Sequence, residues 1–389
     1  MTTERTAWLV LAALTTPGNR ELGNLVRSTG PVQALDQMLH GEGISPHLAA
    51  SVDVRLKPIG RTPAVADRIA DDMLRGADRL EARIVTPADD EWPSALADLT
   101  AVGRGNDPLH LDTDPPLCLW LRGPLDLAEA LAQSVSVVGA RAMTTYGEHV
   151  TSEFAYGLAE RGWTVVSGGS LGIDVTAHRG ALAAGGSTVA VLACGIDRVY
   201  PAANAGVLEQ IGGEGLLLTE WPPGTQPHRT SFLARNRIIA AATQGTAMIE
   251  AGSRSGARNT LGYTRRLGRP AMVVPGPITS MMSVGCHIEL RQPGTVLVSS
   301  VEEIIEEIRR VGEPAVTTRA GQLREDVLDA LQARILDAVK PHRATSAEQI
   351  AAAAAVSGRD ARRTLPLLAE LGLVVADPDG YRRTADRDR

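Results

Sequence analysis

The sequence predicts an α/β protein with a doubly wound parallel sheet, preceded by a small helical unit and followed by a second small unit. Three observations carry this reading. Between residues 134 and 300, apolar runs of strand length recur, each followed by a loop and helix-like sequence. These runs are continuous rather than alternating, the mark of strands covered on both faces. The stretches on either side have a different texture, helical segments broken by Gly and Pro.

The elements follow in chain order. Residues 1–84 read as short helices over Glu4–Leu14, Gly18–Ser28, Pro31–Leu39, Pro46–Ser51 and Ala64–Gly76. Residues 85–132 form a connecting segment ending in the strand-like stretch 117–123, a candidate edge strand. Within 133–311 the strand runs are 134–140, 164–169, 187–195, 215–221, 246–252 and 270–276, with 295–300 a seventh and an amphipathic helix near 301–311. Residues 312–322 carry Pro, Thr and Gly and read as a linker. In 323–389, helices are expected over Arg324–Val339, Thr345–Val356 and Gly358–Leu371, where Pro366 invites a kink, and a hairpin turns at 377–380. Three helices and a hairpin outline a winged helix.

Composition narrows the function classes. With 44% hydrophobic and 22% charged residues in 389, the chain holds two or three domains with sizeable cores, and disorder over most of it is excluded. No apolar run approaches the roughly 20 residues of a membrane span, and Met1–Arg5 lacks a signal-peptide charge pattern. A cytoplasmic protein without a membrane partner is expected. Cys118, Cys194 and Cys286 are odd in number and widely spaced, which argues against a disulfide framework or structural zinc. The twelve aromatic residues leave at most one or two rings for stacking on a ligand. The net charge of −6 argues against a nucleic-acid binder, but residues 133–300 hold 13 Arg against 10 Asp and Glu, the most cation-friendly part of the chain.

In open parallel sheets ligands bind beyond the carboxyl ends of the strands. Here those loops are rich in small residues: Gly139-Ala140-Arg141, then Ser167-Gly168-Gly169-Ser170-Leu171-Gly172-Ile173-Asp174, and later Gly252-Ser253-Arg254-Ser255-Gly256. Such loops let backbone N–H groups approach an anion at a helix start, so phosphate binding is expected. Each glycine taken alone also fits an ordinary turn. The segment 227–243 sets Arg229, Arg235 and Arg237 around Phe232, with Asn236 between the last two; arginines on phosphates and a ring on a base suit a single strand. Phe232 would equally serve as a core residue of a helix. His178, four residues after Asp174, fits a structural hydrogen bond better than an acid/base pair. Cys286 and His287 lack further ligands at a metal spacing, and no standard dinucleotide fingerprint, P-loop or nucleophile elbow occurs. No catalytic, metal or cofactor residue is therefore assigned.

At these residues the chain resembles the DNA-processing protein DprA (Smf) family. The matching stretches are VVGAR (137–141), SGGSLGID (167–174) continuing through His178, GID-x-VYP (195–201), TEWPPGTQP (219–227), SFLARNRIIA (231–240), IEAGSRSG (249–256) and VVPGP (273–277). The resemblance implies an extended Rossmann-like domain over 133–311 that binds single-stranded DNA, a SAM-like helical domain over 1–84 and a winged helix over 323–389. It also implies a homodimer that protects incoming DNA and helps load the RecA recombinase during natural transformation, without enzymatic activity. By position, Arg141, Arg229, Phe232, Arg235, Asn236 and Arg237 fall on the family's DNA-binding pocket, and Gly168, Gly169, Gly172, Asp174 and His178 on its glycine loop. Leu171 and Ala202 stand where many members carry a basic residue, and Arg254 and Arg258 are candidates to compensate. A competing reading is a nucleotide-processing enzyme of the lysine-decarboxylase-like phosphoribohydrolase type, echoed by Arg237 and the stretch Gln244–Glu250. From these expectations the 133–311 segment alone should bind single strands.

Overall fold

The computed structural model describes residues 3–102, 113–309, 328–340, 344–370, 373–377 and 380–383. They fall into two compact units, Met1–Gly312 and Glu313–Arg389. The linker expected at 312–322 lies outside the described residues.

Five helices open the first unit: α1 (Glu4–Leu14), α2 (Arg20–Thr29), α3 (Pro31–His40), α4 (Pro46–Leu56) and α5 (Pro63–Arg79). Thr3, Asn19 and Ser45 cap α1, α2 and α4 by accepting from backbone N–H groups of the first turn, and Pro opens α3, α4 and α5. α4 runs past the expected Ser51 because Val52 and Leu56 continue the buried stripe begun at Leu48.

The chain then alternates through β1 (Arg83–Val85), a 3-10 helix at Ser94–Ala101, β2 (Leu119–Arg122), α6 (Leu127–Ala132), β3 (Ser134–Val138), α7 (Thr145–Glu160), β4 (Thr164–Ser167), α8 (Ile173–Ala183) and β5 (Thr188–Val191). It continues through α9 (Ala205–Glu214), β6 (Leu216–Thr219), α10 (Arg229–Ala242), β7 (Thr246–Met248), α11 (Ala257–Arg266), β8 (Ala271–Val273), α12 (Val284–Glu289), β9 (Thr295–Leu297) and α13 (Val301–Ile308). The nine strands form one sheet in the order β1-β2-β6-β5-β4-β3-β7-β8-β9. β3 to β9 run parallel, and all seven apolar runs of the sequence are strands. The connecting segment supplies two strands, β2 pairing antiparallel with β6 and β1 with β2.

Burial on both faces explains the continuous runs. Val138, Val166, Val189, Met248 and Val273 point to the face covered by α6, α10 and α11. Their neighbours Val137, Val165, Ala247 and Met272 pack with α7, α8 and α13. On that second face Trp120, Ala190 and Leu217 share one core with α1 to α5. The helices of 1–84 are therefore not a separate body, and the expected divisions at residues 84 and 132 do not separate compact units.

The second unit holds α14 (Ala330–Asp337), α15 (Ala347–Ala353), α16 (Gly358–Glu370) and a hairpin of β10 (Val374–Asp377) with β11 (Gly380–Arg383). A bridge between Thr345 and Tyr381 adds a third short strand pairing. Ile335, Leu336, Ile350, Leu365, Leu368 and Val374 form its own core, and α16 continues through Pro366. Among the described residues no helix is long and apolar enough to cross a membrane.

Candidate nucleic-acid interface

Strand order reverses between β3 and β7, since β4 to β6 lie on one side of β3 and β7 to β9 on the other. A crevice opens at such a switch point, beyond the carboxyl ends of the strands. Here it is an open cavity of about 810 Å3, walled by Gly139–Arg141 after β3, Ser170 and Asp174 after β4, Gly252–Gly256 after β7, and one face of α10.

The helical period decides which side chains of α10 reach it. Arg229, Phe232, Arg235 and Asn236, spaced three and four apart, line the cavity. His228 and Ser231 fix the helix start, the His228 N–H donating to Ser231 Oγ at 2.9 Å. Arg141 is exposed, with its guanidinium carbon 4.8 Å from the centroid of the Phe232 ring. The Tyr200 ring lies 5.9 Å from Phe232 at 51° and is 44% exposed. Arg229 and Arg254 are exposed on the same cavity, and among the described residues neither is held by an ion pair or a side-chain hydrogen bond.

Arg235 sits at the floor and is buried. Its Nη1 donates to the Gly168 carbonyl at 2.7 Å and to that of Val191. Gly168 leaves room for that guanidinium, which a Cβ there would displace. Burial pulls the Arg235 pKa down to about 10, opposed by the charge of Asp174, so it remains a cation at neutral pH. Burial also raises the pKa of Asp174, against the pull of Arg235 and of hydrogen bonds from Ser170 and from the Gly139 backbone. Gly172, at φ +78°, lets the chain enter α8 where a Cβ would strike the Ala140 carbonyl.

The cavity thus gathers Arg141, Asp174, Arg229, Phe232, Arg235, Asn236, Arg254, Ser255 and Gly256 of the expected site. The other six lie outside it. Arg237, fully buried, is ion-paired to Glu220 at 2.7 Å and donates to the carbonyls of Asp114 and Ala234 at 3.1 Å each. It follows Asn236 by one residue and so points off the groove face; its assignment to DNA contact is corrected to a structural one. His178 is buried against Thr188 Oγ1 at 2.7 Å, and burial, with Arg235 nearby, lowers its pKa to about 3. Ser167 Oγ donates to the Val137 carbonyl at 2.6 Å, tying β4 to β3. The carbonyls of Gly168 and Gly169 accept from Arg235 and from Asn204 Nδ2, and Gly172 shapes the turn, so these three hold the loop rather than line the cavity. Arg258 is likewise taken up, its Nε 2.7 Å from Glu289. Sequence reasoning did not single out Tyr200, Met281 and Met282, which also line the cavity. They come from loops with no periodicity; for Tyr200 the only signal was its place in VYP (199–201).

A mainly parallel sheet whose switch-point crevice is lined by arginines, glycine-bearing loops, exposed Tyr200 and half-buried Phe232 defines an α/β protein of doubly wound type with a cation-rich crevice. The chain belongs to the family described as DNA recombination-mediator protein A, whose sequence model matches residues 83–309. It is 40% identical over 372 residues to the putative DNA processing protein DprA of Mycobacterium tuberculosis, covering 94% of this chain and 91% of that one. The X-ray structure of DNA processing protein A from Streptococcus pneumoniae superposes with a TM-score of 0.59 at 29% identity, covering 79% of this chain and 99% of the other. A structure described as showing a unique single-stranded DNA binding mode of the Helicobacter pylori protein is 27% identical, with a TM-score of 0.49 over 58% of this chain and 94% of that one.

Proposed function

We propose that this chain binds single-stranded DNA in the switch-point groove and acts there as a recombination mediator. It holds incoming strands as a homodimer in the cytoplasm and helps deliver them to the RecA recombinase during natural transformation. The observation that carries the DNA reading is the Arg141–Phe232–Tyr200 cluster. Exposed Tyr200 beside half-buried Phe232 and the Arg141 guanidinium accepts an unstacked base while arginines neutralise its phosphates, an arrangement that a paired duplex does not satisfy. Membership in the recombination-mediator family supports the cellular role.

The protein acts by binding, not by turnover. The phosphoribohydrolase reading needs Arg237 and Glu250 in the crevice. Arg237 is consumed by Glu220, and buried Glu250 accepts from the Thr144 N–H at 2.9 Å and from its hydroxyl at 2.6 Å. We read the second unit as a winged helix, supported by its three helices, hairpin and Thr345–Tyr381 bridge. Its balanced charge, 11 basic and 11 acidic residues over 323–389, suits contact with a protein better than tight duplex binding.

The test is affinity for single- and double-stranded oligonucleotides across a salt series. Single strands should bind more tightly, with log affinity falling by about 0.7 per phosphate neutralised for each unit of log salt. Equal affinity for both forms overturns the assignment.

A further inference from the structure

The segment between β8 and α12 is tied down near both ends, yet it displays apolar side chains. Tyr146 OH donates to the Pro275 carbonyl at 2.7 Å, and His287 Nε2 lies 2.9 Å from that of Gly276. The Ala251 N–H donates to the Met282 carbonyl at 2.7 Å and the Gly285 N–H to that of Ala251 at 2.6 Å. A Cβ on Gly285 would collide with Ala251, so this segment is clamped against the start of the loop that carries Arg254. Despite these ties Met281 is 74% exposed and Ile278 is 90% exposed, while Met38, Met248 and Met272 are fully buried. Met281 and Met282 line the same cavity as Phe232, entering from a different element.

A single exposed apolar residue needs no explanation. A thioether displayed on the wall of a cationic groove does, because water gains nothing from it and a nucleobase does. We propose that Met281, flanked by Ile278, is a second base-binding subsite, taking an unstacked base of the same strand whose phosphates meet Arg141, Arg229 and Arg254. The inference rests on the reading of the groove as a single-strand site. Two observations favour a nucleic-acid occupant: the subsite is continuous with the Phe232 cavity, and the adjoining loop presents exposed Arg254, unpaired among the described residues, to an anion. A polarisable sulfur packs on any π-face, so the subsite adds grip without choosing a sequence. It also favours single strands, since a paired base offers it no face.

The experiment measures binding of the full chain to labelled single-stranded oligonucleotides, intact and wholly abasic. Met281→Ala should bind the intact strand about three- to tenfold more weakly. It should bind the abasic strand as the wild type does, with an unchanged salt slope. Met281→Leu, which keeps the apolar surface, should restore most of the loss. The proposal is overturned if Met281→Ala binds the intact strand normally, or if it weakens intact and abasic strands equally. Arg141→Ala/Arg254→Ala is the control: if it leaves affinity and salt slope untouched, the groove itself is misassigned and the subsite falls with it. If it weakens binding while Met281→Ala does not, only the subsite fails.

Discussion

Arg235 and Arg237 stand two residues apart on α10 and serve different ends. Arg235 points to the groove floor and anchors the glycine loop through the Gly168 and Val191 carbonyls. Arg237 faces the other way and neutralises a carboxylate at Glu220 whose pKa burial pushes up. Arg237→Ala leaves that carboxylate buried without its partner and should cost about 3–5 kcal/mol of stability, read as a lowered urea midpoint. Arg141→Ala should change stability by no more than about 0.5 kcal/mol. It should instead flatten the salt dependence of strand binding by about 0.7, one phosphate's worth. An Arg237→Ala protein of wild-type stability with lost binding would return Arg237 to the groove. The Arg-Asn-Arg stretch was legible as a candidate site, but which of its side chains line the cavity was not. Helical period fixes which side chains share a face, and only the fold says which face meets the ligand.

Strands were the most legible elements, because burial on both faces writes itself into sequence as unbroken apolar runs such as 134–138 and 188–191. The loops were legible only as small-residue stretches; what they hold depends on partners remote in sequence. His178 shows this at the joint between α8 and β5, where its ring meets Thr188. Thr188 Oγ1 donates to the Val165 carbonyl, so it accepts from His178 Nδ1–H. Its folded pKa is about 3 against an ordinary value of 6.5, lowered chiefly by burial. The folded state therefore resists protonation that the unfolded chain accepts, and stability is lost as pH falls from about 6.5 towards 3. From pH 7 to pH 5 this one group should remove about 2 kcal/mol. Asp174 and Glu220, with raised values, act in the opposite sense on acidification but are common to both proteins in the comparison. His178→Gln, measured by urea unfolding at the two pH values, should lose about 2 kcal/mol less than the wild type. Equal losses would show that the ring is already solvated in the folded state.

At the scale of the whole molecule, sequence texture suggested breaks at residues 84 and 132, because helices give way to strands there. Texture does not reveal which apolar faces meet. Trp120, Ala190 and Leu217 turn towards α1 to α5, and β2 covers the edge of β6, so the helical bundle completes one face of the sheet. A fragment of residues 133–311 therefore lacks β1, β2 and the bundle, leaving the edge of β6 unpaired and the apolar face of β5 and β6 bare. It should aggregate or unfold, contrary to the expectation that this segment binds single strands by itself. Deleting residues 315–389 removes instead a unit with its own core and a balanced charge. That protein should fold, unfold in one cooperative transition, and keep most of its affinity for single strands. A loss of about two orders of magnitude or more, roughly 2.8 kcal/mol, would move the binding to the second unit. A stable, strand-binding 133–311 fragment would show instead that the shared core of bundle and sheet is dispensable.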